Sequence, residues 1–506
     1  MQSRDFALVY INGKAHHITG DDLFLSLSDY LRYQSHLTGT KVVCAEGDCG
    51  ACTVLVGQLF ENSEFNYHSM NSCIQTMGLL DQTHVITVEG LGQSDNLHPI
   101  QKSMLQCHGA QCGFCTPGFI CSMAAMVEDV KKQQQKIHLQ RVKNHLTGNL
   151  CRCTGYESII ESALTLSQDP SLKDLAYLNE LYPAKEMIAE MKKVSDLSLL
   201  MNSDSHGIFL PRTIEEAVKL KRAYPKLRLI SGATDLGVQK NKGKIVYQQL
   251  MSLNNVKTAY DITDDGKALT IGAKVSLTNV EEATKNYFSE FSHLLHIFAS
   301  PQIKHTGTLV GNLANASPIG DTIPFLNVAN AEVVIASFDG TAITRRSVLV
   351  NDFIQGYKVL DLKEEELIEA IKIPKTNAHF KLYKTSLRRD LDISQVTVGI
   401  RFKFKNDDFN KKEFEDLEIA FGGMSARVER VPSIVSILKA DFSPFGLEKA
   451  KLEVAKIFKP FTDVRASSEY RILVAENLLE KFFDEVNLQI ISRANDSETQ
   501  AMAKGI

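Results

Sequence analysis

No cysteine follows Cys153 in this chain of 506 residues, although ten stand between Cys44 and that point. In a reducing compartment so dense a patch indicates metal binding or catalysis rather than disulfides. Charge of one sign is also scarce. The 56 basic and 60 acidic residues leave −4, with no long block of either sign, so neither nucleic acid nor an anionic membrane is an expected partner. No stretch reaches the roughly 18 uninterrupted apolar residues of a membrane span. The opening Met1-Gln2-Ser3-Arg4-Asp5-Phe6 lacks the apolar core and cleavage site of a secretion signal. The expected address is therefore cytoplasmic. Two patterns are missing as well, an internal repeat and the dinucleotide fingerprint G-x-G-x-x-G. What remains is the composition of a folded protein, 44% hydrophobic and 23% charged, at a length that predicts two to four domains.

The pattern changes along the chain. Short β-type runs (Phe6–Ile11, Thr53–Val56, His84–Val88) surround one helical stretch near Asp22–Tyr33, and Asn12-Gly13 is a hairpin signal. From about residue 97 to 165 the signal turns helical. Thr116-Pro117 reads as an N-cap leading into Phe119–Val130, and Thr154 with Glu157 has capping-box spacing before Ser158–Leu166. Residues 167–207 are polar without period and read as a connecting segment over the surface. Beyond Pro211, Thr213 and Glu216 cap a helix through Ala223, and Leu227–Ile230 is a short strand. Strand and helix signals alternate to about 375. A last unit has strands near Val396–Phe404 and Leu417–Phe421, then amphipathic helices. The predicted divisions are 1–90, 91–166, a linker at 167–207, 208–378 and 379–506, in an α+β multidomain chain.

Two cysteine groups carry the chemistry. Cys44, Cys49 and Cys52, followed after 20 residues by Cys73, have the C-x4-C-x2-C…C spacing of plant-type [2Fe–2S] sites. Gly47 and Gly50 suit a loop whose amides point at the sulfides. A structural zinc site more often shows paired C-x2-C halves. The second group is Cys112 and Cys115, answered by Cys151 and Cys153, and its spacing fits zinc as readily as a cluster. Cys107 and Cys121 are left as ordinary free thiols.

Two loops could hold a phosphate-bearing ligand. Leu229-Ile230-Ser231-Gly232-Ala233-Thr234-Asp235-Leu236 is a strand entering a glycine turn whose amides could cradle a pyrophosphate, or an ordinary connection. Thr308-Leu309-Val310-Gly311-Asn312, with Ser317 and Asp321 beyond, gathers small residues, hydroxyls and a carboxylate. It fits a solvated loop equally well. His16, His17, His293, His296 and His305 have no metal spacing and are expected to be packed or solvated.

At these residues the sequence resembles the molybdenum hydroxylase (xanthine oxidase/dehydrogenase) family. The cysteine motifs, the segments Gln111–Gly118 and Asn149–Tyr156, and the two loops stand in that family's order over about residues 5–490. The resemblance implies a β-grasp ferredoxin-like domain, a helical-bundle [2Fe–2S] domain, an FAD-binding domain and a small α+β C-terminal domain. By the resemblance, both cysteine groups ligate [2Fe–2S] clusters. Leu229–Leu236, Phe298, Thr308–Asn312, Asp321, Ile368 and Lys384 contact FAD. The order of domains without a molybdenum portion is similar to the small subunit of bacterial members. That implies a molybdopterin-binding large subunit as partner, an α2β2 assembly, hypoxanthine or xanthine oxidised to urate there, and NAD+ as final acceptor. An aldehyde, nicotinate or carbon-monoxide hydroxylase keeps the same cofactors, and a stand-alone flavin-dependent reductase needs no partner. Relatives often carry arginine where this chain has Lys358, which lacks the planar fork.

Overall fold

The computed structural model describes residues 2–59, 64–92, 95–168, 178–203, 206–407 and 412–503, with side chains described up to residue 488. The first unit follows from strict alternation. Along Phe6–Ile11, Ala7, Val9 and Ile11 enter one core while Leu8 and Tyr10 enter another, because successive strand residues face opposite sides. Asn12 and Gly13, at φ +47° and +80°, turn the chain into Lys14–Thr19. The sheet order is Lys14–Thr19, Phe6–Ile11, Thr83–Ile86, Thr53–Leu59, Phe65–Asn71, with the second pair parallel. The stretch expected as one helix is broken into short pieces, Gly20–Phe24, Leu27–Asp29 and Tyr30–Gln34. Leu23, Leu27 and Leu31 still pack on the sheet. This is the β-grasp unit.

Four helices form the next unit: Pro99–Gln106, Thr116–Lys132, Leu139–Leu146 and Glu157–Thr165. Thr116–Lys132 is its axis, buried along most of its length. Two expected caps are corrected here. Helix Thr116–Lys132 starts after Cys115 without a side-chain cap, and the Thr116 hydroxyl has no partner among the described residues. Tyr156, at φ +71°, precedes Glu157–Thr165, and Thr154 turns instead to the Cys151 thiol at 3.2 Å. The Thr154 oxygen also accepts the Tyr156 amide at 3.2 Å, before the helix begins.

The described part of 167–207 is no loose tether; 169–177 and 204–205 lie outside the described residues. Helix Ala184–Val194 buries Met187, Ile188 and Met191 against the four-helix core. Strand Ser198–Asn202 lies between Ser3–Arg4 and Gly207–Leu210 in a five-stranded sheet completed by Gln249–Met251 and Arg228–Leu229. The chain's first strand thus belongs to the third unit's sheet, and the buried Arg4–Asp81 ion pair, joined by Asn255, pins it there. A second five-stranded sheet contains Ala268–Gly272, Leu367–Pro374 and Glu332–Phe338 over the largest core. The last unit pairs His379–Thr385, Val396–Phe404, Phe414–Gly422 and Glu429–Arg430 with three helices, Pro432–Ala440, Pro444–Ile457 and Ser468–Ala503.

Candidate functional site

The first cysteine loop folds as its glycines dictate. Gly47 and Gly50 sit at φ +74° and +68°, a region nearly closed to side-chain-bearing residues. The loop brings Cys44, Cys49, Cys52 and Cys73 together: Cys44 is hydrogen-bonded to Cys49 and Cys73, and Cys52 to Cys73. These bonds pull the Cys44 thiol well below its ordinary value and push Cys49 and Cys73 up. Four thiols this close cannot ionise together without positive charge between them, which is the charge two irons carry. Asn71 braces the loop, donating to the Gly47 carbonyl at 2.6 Å.

The second group also assembles. The Cys153 and Cys112 sulfurs are 3.5 Å apart, and Cys115 is hydrogen-bonded to Cys151. Burial first, and then Cys151, push the Cys115 thiol up to about 12. Cys151 receives the amides of Cys153 and Thr154, as an anionic sulfur would. Cys112 and Cys153 are exposed, and so are their chain neighbours Phe114 and Leu150. Cys121 is buried in the helical core and Cys107 packs near Thr165. Among the described residues no three His, Cys, Asp or Glu side chains close on one point as a single ion requires.

The two loops touch each other. The Leu150 amide donates to the Cys49 carbonyl at 2.9 Å, a backbone bond between residues adjoining one thiol and bearing another. Gly118 packs on the Gly50 carbonyl, where a Cβ would stand at 2.2 Å. On the other side the first loop meets the glycine turn of the third unit. Gln75 donates to the Gly232 carbonyl at 3.0 Å, and Asn241 donates to the carbonyls of Ala45 and Cys73. A Cβ at Gly237 would stand 2.3 Å from the Ile74 carbonyl. Sequence reasoning missed Asn71, Gln75 and Asn241, which carry no motif of their own.

The two glycine loops also meet. Ile230 pairs with Met251, after which the amides of Ser231 to Asp235 find no acceptor among the described residues. Successive free amides at a turn suit a pyrophosphate. Ala233 takes φ +58° to make that turn. The Ser231 hydroxyl lies 3.1 Å from that of Thr308, which caps Leu309–Ala314 through the Gly311 amide at 2.9 Å. Asn312 accepts from Thr322, next to Asp321. Asp321 and Lys384 form a buried ion pair of 2.6 Å, and Lys384 also donates to Ser394 and the Asp392 carbonyl. Burial pushes the Asp321 carboxyl up, and Lys384 pulls it back. Phe298 and Ile368 line the same core, with Leu309–Ala314 packed on the strand of Ile368. The Leu391 amide reaches the Ile297 carbonyl, which brings the Arg388–Asp392 loop beside Phe298. Lys358, at φ +57°, holds its ammonium 5.9 Å from the Tyr357 ring.

Four family descriptions match in order along the chain. They are a 2Fe-2S iron-sulfur cluster binding domain over 9–76, a [2Fe-2S] binding domain over 87–164, an FAD binding domain in molybdopterin dehydrogenase over 203–376, and a CO dehydrogenase flavoprotein C-terminal domain over 381–486. The chain is 29% identical to a xanthine dehydrogenase of Drosophila subobscura over 85% of its length, and 30% identical to xanthine dehydrogenase 1 of Arabidopsis thaliana over 83%. It spans 35% of each of those proteins. Its fold is similar over 57% of its length to 99% of a chain of quinoline 2-oxidoreductase from Pseudomonas putida 86, at a TM-score of 0.51 and 19% identity. A chain of carbon monoxide dehydrogenase from Hydrogenophaga pseudoflava matches similarly, at a TM-score of 0.51 and 18% identity, over 56% of this chain and 96% of that one.

Proposed function

We propose, on the premise that the chain belongs to the molybdenum hydroxylase family as its iron–sulfur and flavin electron-transfer part, that it serves a xanthine dehydrogenase. Electrons leave hypoxanthine or xanthine at a molybdopterin-binding large subunit and reach NAD+ at this chain. Cys112, Cys115, Cys151 and Cys153 would hold one [2Fe–2S] cluster, and Cys44, Cys49, Cys52 and Cys73 the other. Ser231 to Asp235, Thr308, Asn312, Asp321 and Lys384 would hold FAD. When bound, the clusters supply one-electron carriers and the flavin a carrier of one or two, which joins single-electron transfer to a hydride acceptor.

The observation that carries this reading is the unbroken line of contact. The exposed thiols Cys112 and Cys153 stand at one end, beside the apolar Phe114 and Leu150. Leu150 then bonds to Cys49, and Gln75, two residues after Cys73, bonds to Gly232. The first of these is a bond between backbone atoms, and the second runs from the Gln75 side-chain amide to the Gly232 carbonyl. The exposed end supports docking of a large partner, and the buried end supports transfer to the flavin loops. Xanthine is favoured by the names of the curated relatives. An aldehyde, nicotinate or carbon-monoxide hydroxylase shares the same wiring, and an α2β2 assembly follows only if the partner is present.

The test is reconstitution. The chain, loaded with iron, sulfide and FAD, is mixed anaerobically with its co-purifying large subunit, then given xanthine and NAD+. Visible bleaching followed by NADH formation is expected. Bleaching by an aldehyde or nicotinate but not by xanthine would transfer the substrate to another branch. No co-purifying subunit would favour a stand-alone reductase, and a colourless loaded chain would favour zinc.

A further inference from the structure

Gln302 belongs to no motif, yet it stands where three units meet. It is fully buried in helix Pro301–Lys304 of the third unit. Its amide nitrogen reaches Thr53 of the first unit at 3.3 Å, and Ser122 and Asn149 of the second at 3.3 and 3.0 Å. Thr53 adjoins Cys52, and Asn149 stands two residues before Cys151. All three partners are buried as well.

The hydrogen-bond directions are decided by the partners. Thr53 spends its proton on the Gly50 carbonyl at 2.6 Å, and Ser122 spends its own on Asn149 Oδ1 at 2.7 Å. Asn149 gives its amide nitrogen to Gly50 at 3.0 Å. Each group facing Gln302 is therefore left as an acceptor, so the atom turned toward them is the NH2, whose two hydrogens are shared among three acceptors. The opposite atom, Oε1, faces Gly148, where a Cβ would stand at 2.1 Å, and has no partner among the described residues. Side-chain size cannot explain such a group. A buried amide that serves only to fill space would be replaced without loss by an apolar residue.

We propose that Gln302 is a positioning residue for electron transfer, fixing the two thiol loops against each other and against the flavin unit while ligating nothing. The inference rests on the functional reading above. Its chemistry predicts an order that packing alone reverses. Gln302→Glu keeps the shape but aims acceptor lone pairs at three acceptors. Gln302→Leu loses the donor without adding repulsion.

The experiment is electron paramagnetic resonance of the reduced, fully loaded chain, with iron and flavin content measured on the same samples. Two paramagnetic clusters held at a fixed separation split each other's signals. The expected result is a changed splitting in Gln302→Leu and a larger change in Gln302→Glu, with slower flavin reduction when electrons enter at the exposed thiol end. Ser122→Ala, which removes one of the three acceptors facing Gln302 together with the Ser122–Asn149 bond, should change it least and serves if the Gln302 variants fail to fold. Unchanged splitting and rate in all three, or Gln302→Glu behaving as wild type, would overturn the proposal. Absence of both cluster signals from the wild-type chain would overturn the functional reading beneath it, and the proposal with it.

Discussion

Lowering the pH should loosen the junction of the first and third units through His305. Its ring packs against that of His68, tilted by 33° with 4.8 Å between centroids, and bonds to the Ser69 carbonyl at 2.9 Å. Burial pushes the His305 imidazole down to about 4 and that of His68 down to about 3; Lys304 adds to the effect on His305 and Glu281 opposes it. The folded state thus keeps both rings neutral, whereas the unfolded chain binds protons below about pH 6.5. Stability is full above that value and falls as pH drops toward the folded values. For His305 at pH 5, about 1.5 decades below the unfolded value, the loss is about 2 kcal/mol. The assay is urea unfolding of the metal-free chain at pH 7.5 and pH 5, in wild type and in His305→Gln. The wild type should lose about 2 kcal/mol more than the variant on acidification. An equal loss in both would refute the argument that His305 is held neutral.

Three other changes should have defined results. Cys115→Ser should lose one of two clusters, halving iron content while FAD stays bound, as measured by iron assay and flavin absorbance. Gly50→Ala asks for a left-handed residue, a penalty of about 1–2 kcal/mol, and sets a Cβ 2.3 Å from the Gly148 carbonyl. Thermal unfolding should fall, and a midpoint equal to wild type would contradict the geometry. Asp321→Asn leaves the buried Lys384 without its counter-charge, which costs about 3–5 kcal/mol when one member of such a pair is removed. Lower thermal stability with faster FAD release is the expected outcome, and unchanged values in both would count against the pair.

What was legible in the sequence is what is local. The positive φ of Gly47 and Gly50, the Asn12-Gly13 hairpin and the Thr213 cap rest on contacts within a few residues, and the cysteine groups were legible from their spacing although their halves lie up to 41 residues apart. Ser231 and Thr308 were each read as part of a loop, but only the fold brings their hydroxyls together. Gln75 and Gln302 stayed hidden because their partners lie 157 and up to 249 residues away, and a lone amide leaves no periodicity. Helix Ala184–Val194 was missed because Met187, Ile188 and Met191 make a narrow apolar stripe among lysines and glutamates. The expected cap at Thr154 failed because its hydroxyl is engaged within the cysteine loop, and the one at Thr116 because the helix already starts after Cys115. Such conflicts concentrate at functional sites.

The central claim is that two clusters and a flavin are joined within this chain. Anaerobic titration of the loaded chain with NADH, followed in the visible spectrum, tests it most directly. The account predicts that the flavin and iron–sulfur bands bleach together, since Leu150–Cys49 and Gln75–Gly232 hold the three sites in series. Flavin bleaching with the iron–sulfur bands unchanged would contradict it.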